Sequence, residues 1–453
     1  MVQIYKAARK KATPAKDLKL KVDALDHHGN GVSRSHQPVV FVEGALPGEV
    51  VMARVQARKK RFWQAQTHKV IQASPERIDP FCPYFGECGG CQHQHVGQLP
   101  LLNYKQEAVA ELLQKAAGID ALNWQAPLYD KSQAYRRKVR LAVDARRGAG
   151  KDKAAHSSVR IGFRARQSDT VVDIHACQVL TDPLQAVLPA LRKLVKGLVS
   201  VRHLGHISMV DADNQLQLCL RMTQPLPEAD RLTLQEFSRQ QHCSILLQKA
   251  EGELDAIAGE EVDATYAPEP HLSLAFRPTD FIQVNHHINQ AMVNQAMNWL
   301  DIRAEDKVLD LFCGVGNFAL PMASRGAQVI GIEGSQAMVE QAQDNAHRNS
   351  LSAAFIQADL SDEKELKRLV SEIGQVDKVL LDPARAGASA ITSWLQQLNP
   401  AQILYVSCNP ATFTRDAAML VENRWRVDKI GLMDMFPNTA HTELMALFAR
   451  SGC

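Results

Sequence analysis

The stretch VLDLFCGVGNFAL (Val308–Leu320) carries an apolar strand pattern straight into Gly314-Val315-Gly316. Glycines at such a point let the backbone turn tightly and approach a ligand closely where a helix begins. Gly314, Gly316 and Ala319 also match the G-x-G-x-x-A spacing of dinucleotide sites, so a bound nucleoside is expected, its identity open. Further along, QVIGIE (328–333), AAFIQAD (353–359), DKVLLD (377–382) and QILYVS (402–407) alternate with helical stretches. Strand–helix alternation predicts a doubly wound parallel sheet over 269–453, with ligands at the C-terminal ends of its strands. Glu333 closes the second strand, where NAD and S-adenosylmethionine sites alike need an acid for ribose hydroxyls. Asp359 closes the third, placed for an adenine ring, although an Asp there is as often a helix cap.

The fourth and fifth strands narrow the chemistry. DKVLLDPARAG puts Asp382-Pro383 where many nucleic-acid methyltransferases carry Asp/Asn-Pro-Pro-aromatic for an exocyclic amine. Ala384 and Arg385 replace the second proline and the aromatic, which disfavours an amine and makes a carbon target plausible. ILYVSCNPATFTRD ends its strand at Cys408. A lone cysteine there is by base rate a buried, inert thiol, but this one faces the expected cleft and is followed by Asn409-Pro410. Uracil C5 is too poor a nucleophile to attack a methyl sulfonium directly; a thiolate adding to C6 makes C5 enolate-like. A base must then remove the C5 proton, for which DMFPNTAHTELMALF offers Glu443, with His441 as competitor.

The rest of the chain suggests three domains. No apolar run reaches the ~18 residues of a membrane span and no signal-peptide pattern opens the chain, so a soluble cytoplasmic protein without membrane association is expected. Nine scattered cysteines argue against a disulfide framework and for metal or catalytic thiols. Residues 1–80 hold fifteen Lys/Arg against seven Asp/Glu, so a net +8 sits at one end of a chain whose total is +3. Its runs are Arg9-Lys10-Lys11, then Lys16, Lys19 and Lys21, then Arg58-Lys59-Lys60-Arg61 beside Phe62 and Trp63. A single run is an ordinary solvated face; three favour a polyanion such as RNA. Short alternating strands broken by glycine turns predict a small β-barrel over 14–73. Within it VFVEGALPGEVV (40–51) resembles the TRAM domain, an OB-like RNA-binding module. Residues 74–268 read as α+β, with a helix near Leu101–Ala117 and an antiparallel sheet built from RRKVRLAVD, SVRIGFRAR, HISMVD and QLQLCLRM.

CPYFGECGGCQHQH places Cys82, Cys88 and Cys91 within ten residues. Spacing alone leaves zinc and iron–sulfur open, since four thiolates suit both. Cys177 in DIHACQVL is the candidate fourth ligand, with His93, His95 and His175 as outside candidates. The Cys-x3-Cys-x2-Cys spacing of radical S-adenosylmethionine enzymes is absent.

FRPTDFIQVN, DLFCGVGNF, LLDPARAG, YVSCNPAT and FPNTAHTE, in this order, resemble the bacterial RNA uracil-C5 methyltransferase family across the whole C-terminal domain. The resemblance implies a Rossmann-like domain binding S-adenosylmethionine, with Cys408 as nucleophile and Glu443 as base. It also implies that Gln283, Phe312, Asn317, Glu333, Asp359 and Asp382 line the donor site and its border with uracil. Members with this cysteine spacing carry a [4Fe–4S] cluster, which would here sit on Cys82, Cys88, Cys91 and Cys177. Barrel, cysteines and catalytic domain together are most similar to members acting on 23S ribosomal RNA, with no obligate protein partner evident. A tRNA substrate is the runner-up. An NAD(P)-dependent oxidoreductase and a non-catalytic RNA-binding module are more distant alternatives, and neither accounts for Cys408 with Glu443.

Overall fold

The computed structural model describes residues 17–145, 159–249, 253–259 and 263–450. Arg9-Lys10-Lys11, Lys16 and the start of the 14–73 segment lie outside the described residues. The chain divides into two compact units, Met1–Asp79 with His93–Ala108 and Pro80–Gln92 with Val109–Cys453.

The first unit is built on a six-stranded sheet of β1 (Asp17–Lys21), β2 (Ala24–Leu25), β3 (Gly31–Ser33), β4 (Val39–Glu43), β5 (Val50–Arg58) and β6 (Phe62–Gln72). The spatial order is β1-β5-β6-β4-β3-β2. Period-two alternation sends Leu18, Leu20, Val40, Val42, Val51, Ala53 and Ala65 to one core. The Pro-Gly-Glu turn has a structural role, because the Glu49 carboxylate is fully buried and accepts from Leu46 N (2.9 Å), Ser74 N (3.2 Å) and Arg77 Nη2 (2.8 Å). Helix α1 (Gln98–Ala117) follows in sequence.

In the second unit a seven-stranded sheet comprises β7 (Lys138–Asp144), β8 (Arg160–Arg164), β9 (Val171–Asp173), β10 (Leu204–Asp211), β11 (Leu216–Met222), β12 (Cys243–Gln248) and β13 (Leu254–Ala258). Helix α2 (Asp182–Gly197) packs its Leu184, Leu188 and Leu191 stripe into the same core. The four segments expected to form an antiparallel sheet, now β7, β8, β10 and β11, pair antiparallel, and the sheet extends to β12, which joins β11 in parallel. The reason is α3 (Glu228–Gln241), which intervenes and supplies the crossover that parallel neighbours require.

Short strands β14 (Ala264–Tyr266) and β15 (Leu274–Phe276) lead to α4 (His286–Leu300) and the second seven-stranded sheet. Its elements run β16 (Lys307–Leu311), α5 (Ala319–Ala323), β17 (Gln328–Glu333), α6 (Gln336–Arg348), β18 (Ala353–Gln357), α7 (Glu363–Ile373) and β19 (Lys378–Leu381). They continue with α8 (Ser389–Thr392), α9 (Leu395–Leu398), β20 (Gln402–Ser407), α10 (Pro410–Glu422), β21 (Trp425–Met433) and β22 (Glu443–Arg450). The order β18-β17-β16-β19-β20-β22-β21 is parallel except for β22. Strand order reverses between β16 and β19, so a crevice for ligands opens at their C-terminal ends. Both faces are covered, which is why β19 and most of β20 are buried along their length. Residues Gln125 and Leu128 donate to the Ile430 and Leu432 carbonyls (2.7 and 2.9 Å), closing the β21 edge.

Candidate active site

Strands β20 and β22 pair antiparallel from Gln402 opposite Ala449 to Ser407 opposite Leu444. Cys408 directly follows and Glu443 directly precedes that last pair, and the Glu443 carboxylate acts on the Cys408 thiol. Asn409 caps α10 by accepting from Ala411 N (3.1 Å), with Pro410 opening the first turn. The thiol therefore stands at the positive end of a helix, where a thiolate gains stability. Asn409 Nδ2 and Thr412 Oγ1 both donate to the Arg385 carbonyl (3.0 and 3.2 Å), which fixes the loop after β19. Arg385 Nη2 meets His441 Nδ1 at 3.2 Å. Burial, reinforced by the Glu443 and Asp382 carboxylates, pushes the Cys408 thiol up to about 11, while Arg385 pulls it down.

Two more carboxyls lie beneath. Burial lifts Asp382 to about 7. Asp310, fully buried in β16, is pushed well above the usual carboxylate range by burial first and Asp382 second. Each of two such neighbours in a desolvated site disfavours the charge of the other. The sequence reading missed Asp310, although a carboxylate inside an apolar strand of a doubly covered sheet was a signal for it.

The turn after β16 adopts the geometry its glycines allow, with φ +57° at Gly314 and +99° at Gly316; Phe312 also takes a positive φ of 67°. Glu333 accepts from Gly314 N through Oε2 (3.1 Å) and from Ser335 N through Oε1 (3.1 Å), which orients its carboxylate beside the turn. Asn317 Oδ1 accepts from Tyr266 Oη (3.2 Å) and Asn289 Nδ2 (3.0 Å). Tyr266 and Asn289, from β14 and α4, carry no motif and were invisible in the sequence. Gln283 is half-buried in a segment held at both ends: Arg137 N donates to the Val284 carbonyl (2.8 Å) and Lys138 Nζ to that of Asp280. Asp359 stands apart, exposed and accepting from Ser361 N (2.8 Å) and Ser361 Oγ (2.6 Å) in a turn, while the cap of α7 is Asp362. Phe312, Asn317, Glu333, Asp382, Cys408 and Glu443 thus gather at one edge of the sheet.

The cysteine segment is stapled to a different part of the unit. Gly89 N donates to the Arg164 carbonyl and Arg166 N to that of Glu87 (both 3.0 Å), Arg166 Nη2 to that of Cys91 (2.8 Å), and His175 N to Tyr84 Oη (3.0 Å). These bonds bring Cys177 beside the other three. Burial raises its thiol to about 12, with Cys91, Cys82 and Cys88 adding to the rise. Among the described residues no group of three or more His, Cys, Asp or Glu is arranged to hold a metal ion, so the expected cluster site is not seen preformed on Cys82, Cys88, Cys91 and Cys177. Of the outside candidates, His175 faces Asp173 (3.7 Å) and His93 meets the Gly29 carbonyl (2.9 Å) and stacks on His95 at 5.8 Å.

The basic run of the first unit lies over its own aromatics, with Arg58 4.8 Å from the Trp63 ring centroid and Lys59 4.9 Å from that of Phe62. No helix among the described residues is long and apolar enough to cross a membrane.

Comparison with known proteins follows the same lines. Residues 180–451 match the family described as tRNA (Uracil-5-)-methyltransferase. The chain is 42% identical over 453 residues to the 23S rRNA (uracil(1939)-C(5))-methyltransferase RlmD of Shewanella amazonensis, covering 99% of each chain. It is 41% identical to the protein of that name from Aeromonas hydrophila, covering 99% of this chain and all of the other. Among solved structures, Pyrococcus abyssi tRNA (uracil-54, C5)-methyltransferase in complex with S-adenosyl-L-homocysteine superposes with TM-score 0.71 at 23% identity over 95% of this chain and all of that one, a likeness of fold.

Proposed function

The chain belongs to the tRNA (uracil-5-)-methyltransferase family of RNA uracil-C5 methyltransferases, and from that membership we propose that it methylates C5 of a uracil in 23S ribosomal RNA. The observation that carries the mechanism is that the Glu443 carboxylate acts on the Cys408 thiol just past the last β20–β22 pair, Ser407 with Leu444. Cys408 Sγ adds to C6 of the base, and the electron pair moves towards C5 and O4. C5 then takes a methyl group, for which S-adenosylmethionine is the donor. Glu443 removes the C5 proton, the C6–S bond breaks, and the thiolate returns. Arg385, the cation acting on the thiol, favours its ionised form.

The donor fits the turn after β16. A Cβ on Gly316 would lie 3.1 Å from Leu320 Cγ, and its φ of +99° favours glycine, so the tight turn into α5 needs glycine there, while Glu333 is oriented for hydroxyls. Phe312, Asn317 and Gln283 would complete that wall and Asp382 its border with uracil. Asp359, committed to its own turn, is the peripheral member. The NAD(P) alternative falls with family membership. An RNA substrate keeps the enzyme in the cytoplasm, and relatives acting on 23S rRNA favour that substrate over tRNA.

The finer organisation belongs to the same proposal. Segment 14–73 acts as a TRAM-like RNA-binding barrel, 74–268 as the cysteine-bearing domain and 269–453 as the catalytic domain. Cys82, Cys88, Cys91 and Cys177 would hold a [4Fe–4S] cluster. Three cysteines that add to the raised pKa of the Cys177 thiol suit a cationic core that would neutralise it. Its contribution there is structural, cross-linking the segment around residues 82–91 to Cys177. The proposed reaction is tested by incubating the protein and donor with 23S rRNA carrying [5-³H]uracil. Tritium must be released in step with methyl incorporation; methyl transfer without release refutes C5 as the target.

A further inference from the structure

The segment between β21 and β22, Asp434–Thr442, carries His441 and leads directly into Glu443. Such a loop must be stiff, because a misplacement of about 1 Å in a catalytic group costs on the order of 10²-fold in rate. Its first half is held from the body of the unit. Asp434 N donates to the Leu128 carbonyl (2.8 Å), Tyr135 Oη to that of Pro437 (3.2 Å), and Asn438 Nδ2 to that of Ser132 (2.8 Å). Inside the loop, Thr439 Oγ1 donates to the Phe436 carbonyl (2.8 Å) and accepts from His441 N (3.2 Å).

The second half is gripped by Gln92, the residue after Cys91. Gln92 N donates to the Asn438 carbonyl (3.0 Å), and Gln92 Oε1 accepts from Ala440 N (3.2 Å). The other end of the same amide points backwards: Nε2 donates to the Gly89 carbonyl at 2.7 Å, between Cys88 and Cys91. One planar amide therefore bonds the cysteine segment through its nitrogen and the loop through its oxygen, so a shift of either side is felt by the other. Asn438 turns the loop through a left-handed backbone, with φ +66°, a conformation that asparagine tolerates.

We propose that Gln92 is a positioning residue for the reaction, clamping the loop that presents His441 and Glu443 to the cysteine-bearing segment. It touches no reacting atom; it sets where the base stands when the C5 proton must leave. The proposal rests on the uracil-C5 reading for its kinetic consequence, while the clamp itself is a matter of geometry. Gln92→Leu removes both side-chain bonds at similar volume. Gln92→Glu keeps an acceptor for Ala440 N and loses the donor to Gly89.

The experiment measures turnover, KM for RNA, donor affinity and covalent protein–RNA complex on denaturing gels for both variants, alongside amide hydrogen exchange over residues 438–441. Gln92→Leu is expected to lower kcat about tenfold or more, with both affinities within about twofold. A covalent complex should build up because proton removal lags, exchange at Ala440 should speed up, and Gln92→Glu, which keeps only the Ala440 bond, should fall between Gln92→Leu and wild type. Wild-type turnover in Gln92→Leu, unchanged exchange, or a fall in affinities parallel to the rate overturns the proposal. Should the wild-type protein release no C5 tritium, the uracil reading fails, and exchange over 438–441 still decides whether Gln92 clamps the loop.

Discussion

Replacing Glu443 by Gln separates the two halves of the proposed chemistry, because the same carboxylate opposes the first step and performs the last. Cys408 is held near 11, with burial the main cause and the Glu443 charge next. At pH 8 only about one enzyme in a thousand then carries the thiolate. Taking about 5 Å as an illustrative separation, two like charges repel by about 0.8 kcal/mol even at the dielectric of water, and by more in a half-buried site. Removing one should raise the thiolate population at least about fourfold. Without RNA, iodoacetamide should accordingly alkylate Cys408 at least about fourfold faster in Glu443→Gln than in the wild type, read by mass spectrometry of the 408-containing peptide. With RNA and donor, adduct formation should be fast while turnover falls by about 10²–10⁴, the usual worth of a positioned base. Methylated RNA should stay on the protein through denaturing electrophoresis. Cys408→Ala, with donor and RNA affinity retained, should give no such band. Free turnover of Glu443→Gln with unaltered alkylation would refute this reasoning and direct attention to His441, which Arg385 contacts at 3.2 Å.

If the proposed cluster forms on Cys82, Cys88, Cys91 and Cys177, anaerobically purified protein should be brown and contain iron and sulfide; stoichiometric zinc without iron would be the contrary result. Changing Lys59, Lys60 and Arg61 together to Gln should flatten the salt dependence of RNA binding by about two to three logarithmic units per decade of salt, leaving donor affinity intact; an equal slope means a merely solvated face. Asp382 supplies a pH test with a definite sign. Its pKa, raised to about 7 by burial, makes the unfolded chain give up its proton first as pH rises from about 4, so this group removes stability up to about 7. The donor-free Asp382→Asn protein should therefore melt higher than wild type at pH 8 and alike near pH 4, with methylation lost at both; a lower melting point at pH 8 would mean that the carboxylate is favourably paired.

Much of the catalytic edge was legible in one dimension because its requirements are local. A strand that ends in Gly314-Val315-Gly316 needs positive φ at both glycines, and an Asn-Pro after Cys408 ends a strand and caps a helix wherever it occurs. Even the nearness of Cys408 and Glu443 follows from strand register once the two strands are neighbours. That neighbourhood, with β22 inserted antiparallel between β20 and β21, is a decision of the folded sheet. So are the contacts with no spacing to announce them: Tyr266 and Asn289 on Asn317, Cys177 beside a cysteine segment some ninety residues earlier, and Gln92 on a loop 346 residues away. The parallel β11–β12 pair belongs here too, since an alternating pattern specifies faces but not the direction of a partner strand. Residue type and spacing determined which chemistry this chain carries, because motifs encode backbone conformation and functional groups directly. Tertiary packing alone decided the pKa values and the placement of the base, because burial and long-range hydrogen bonds depend on what the rest of the chain puts beside each group.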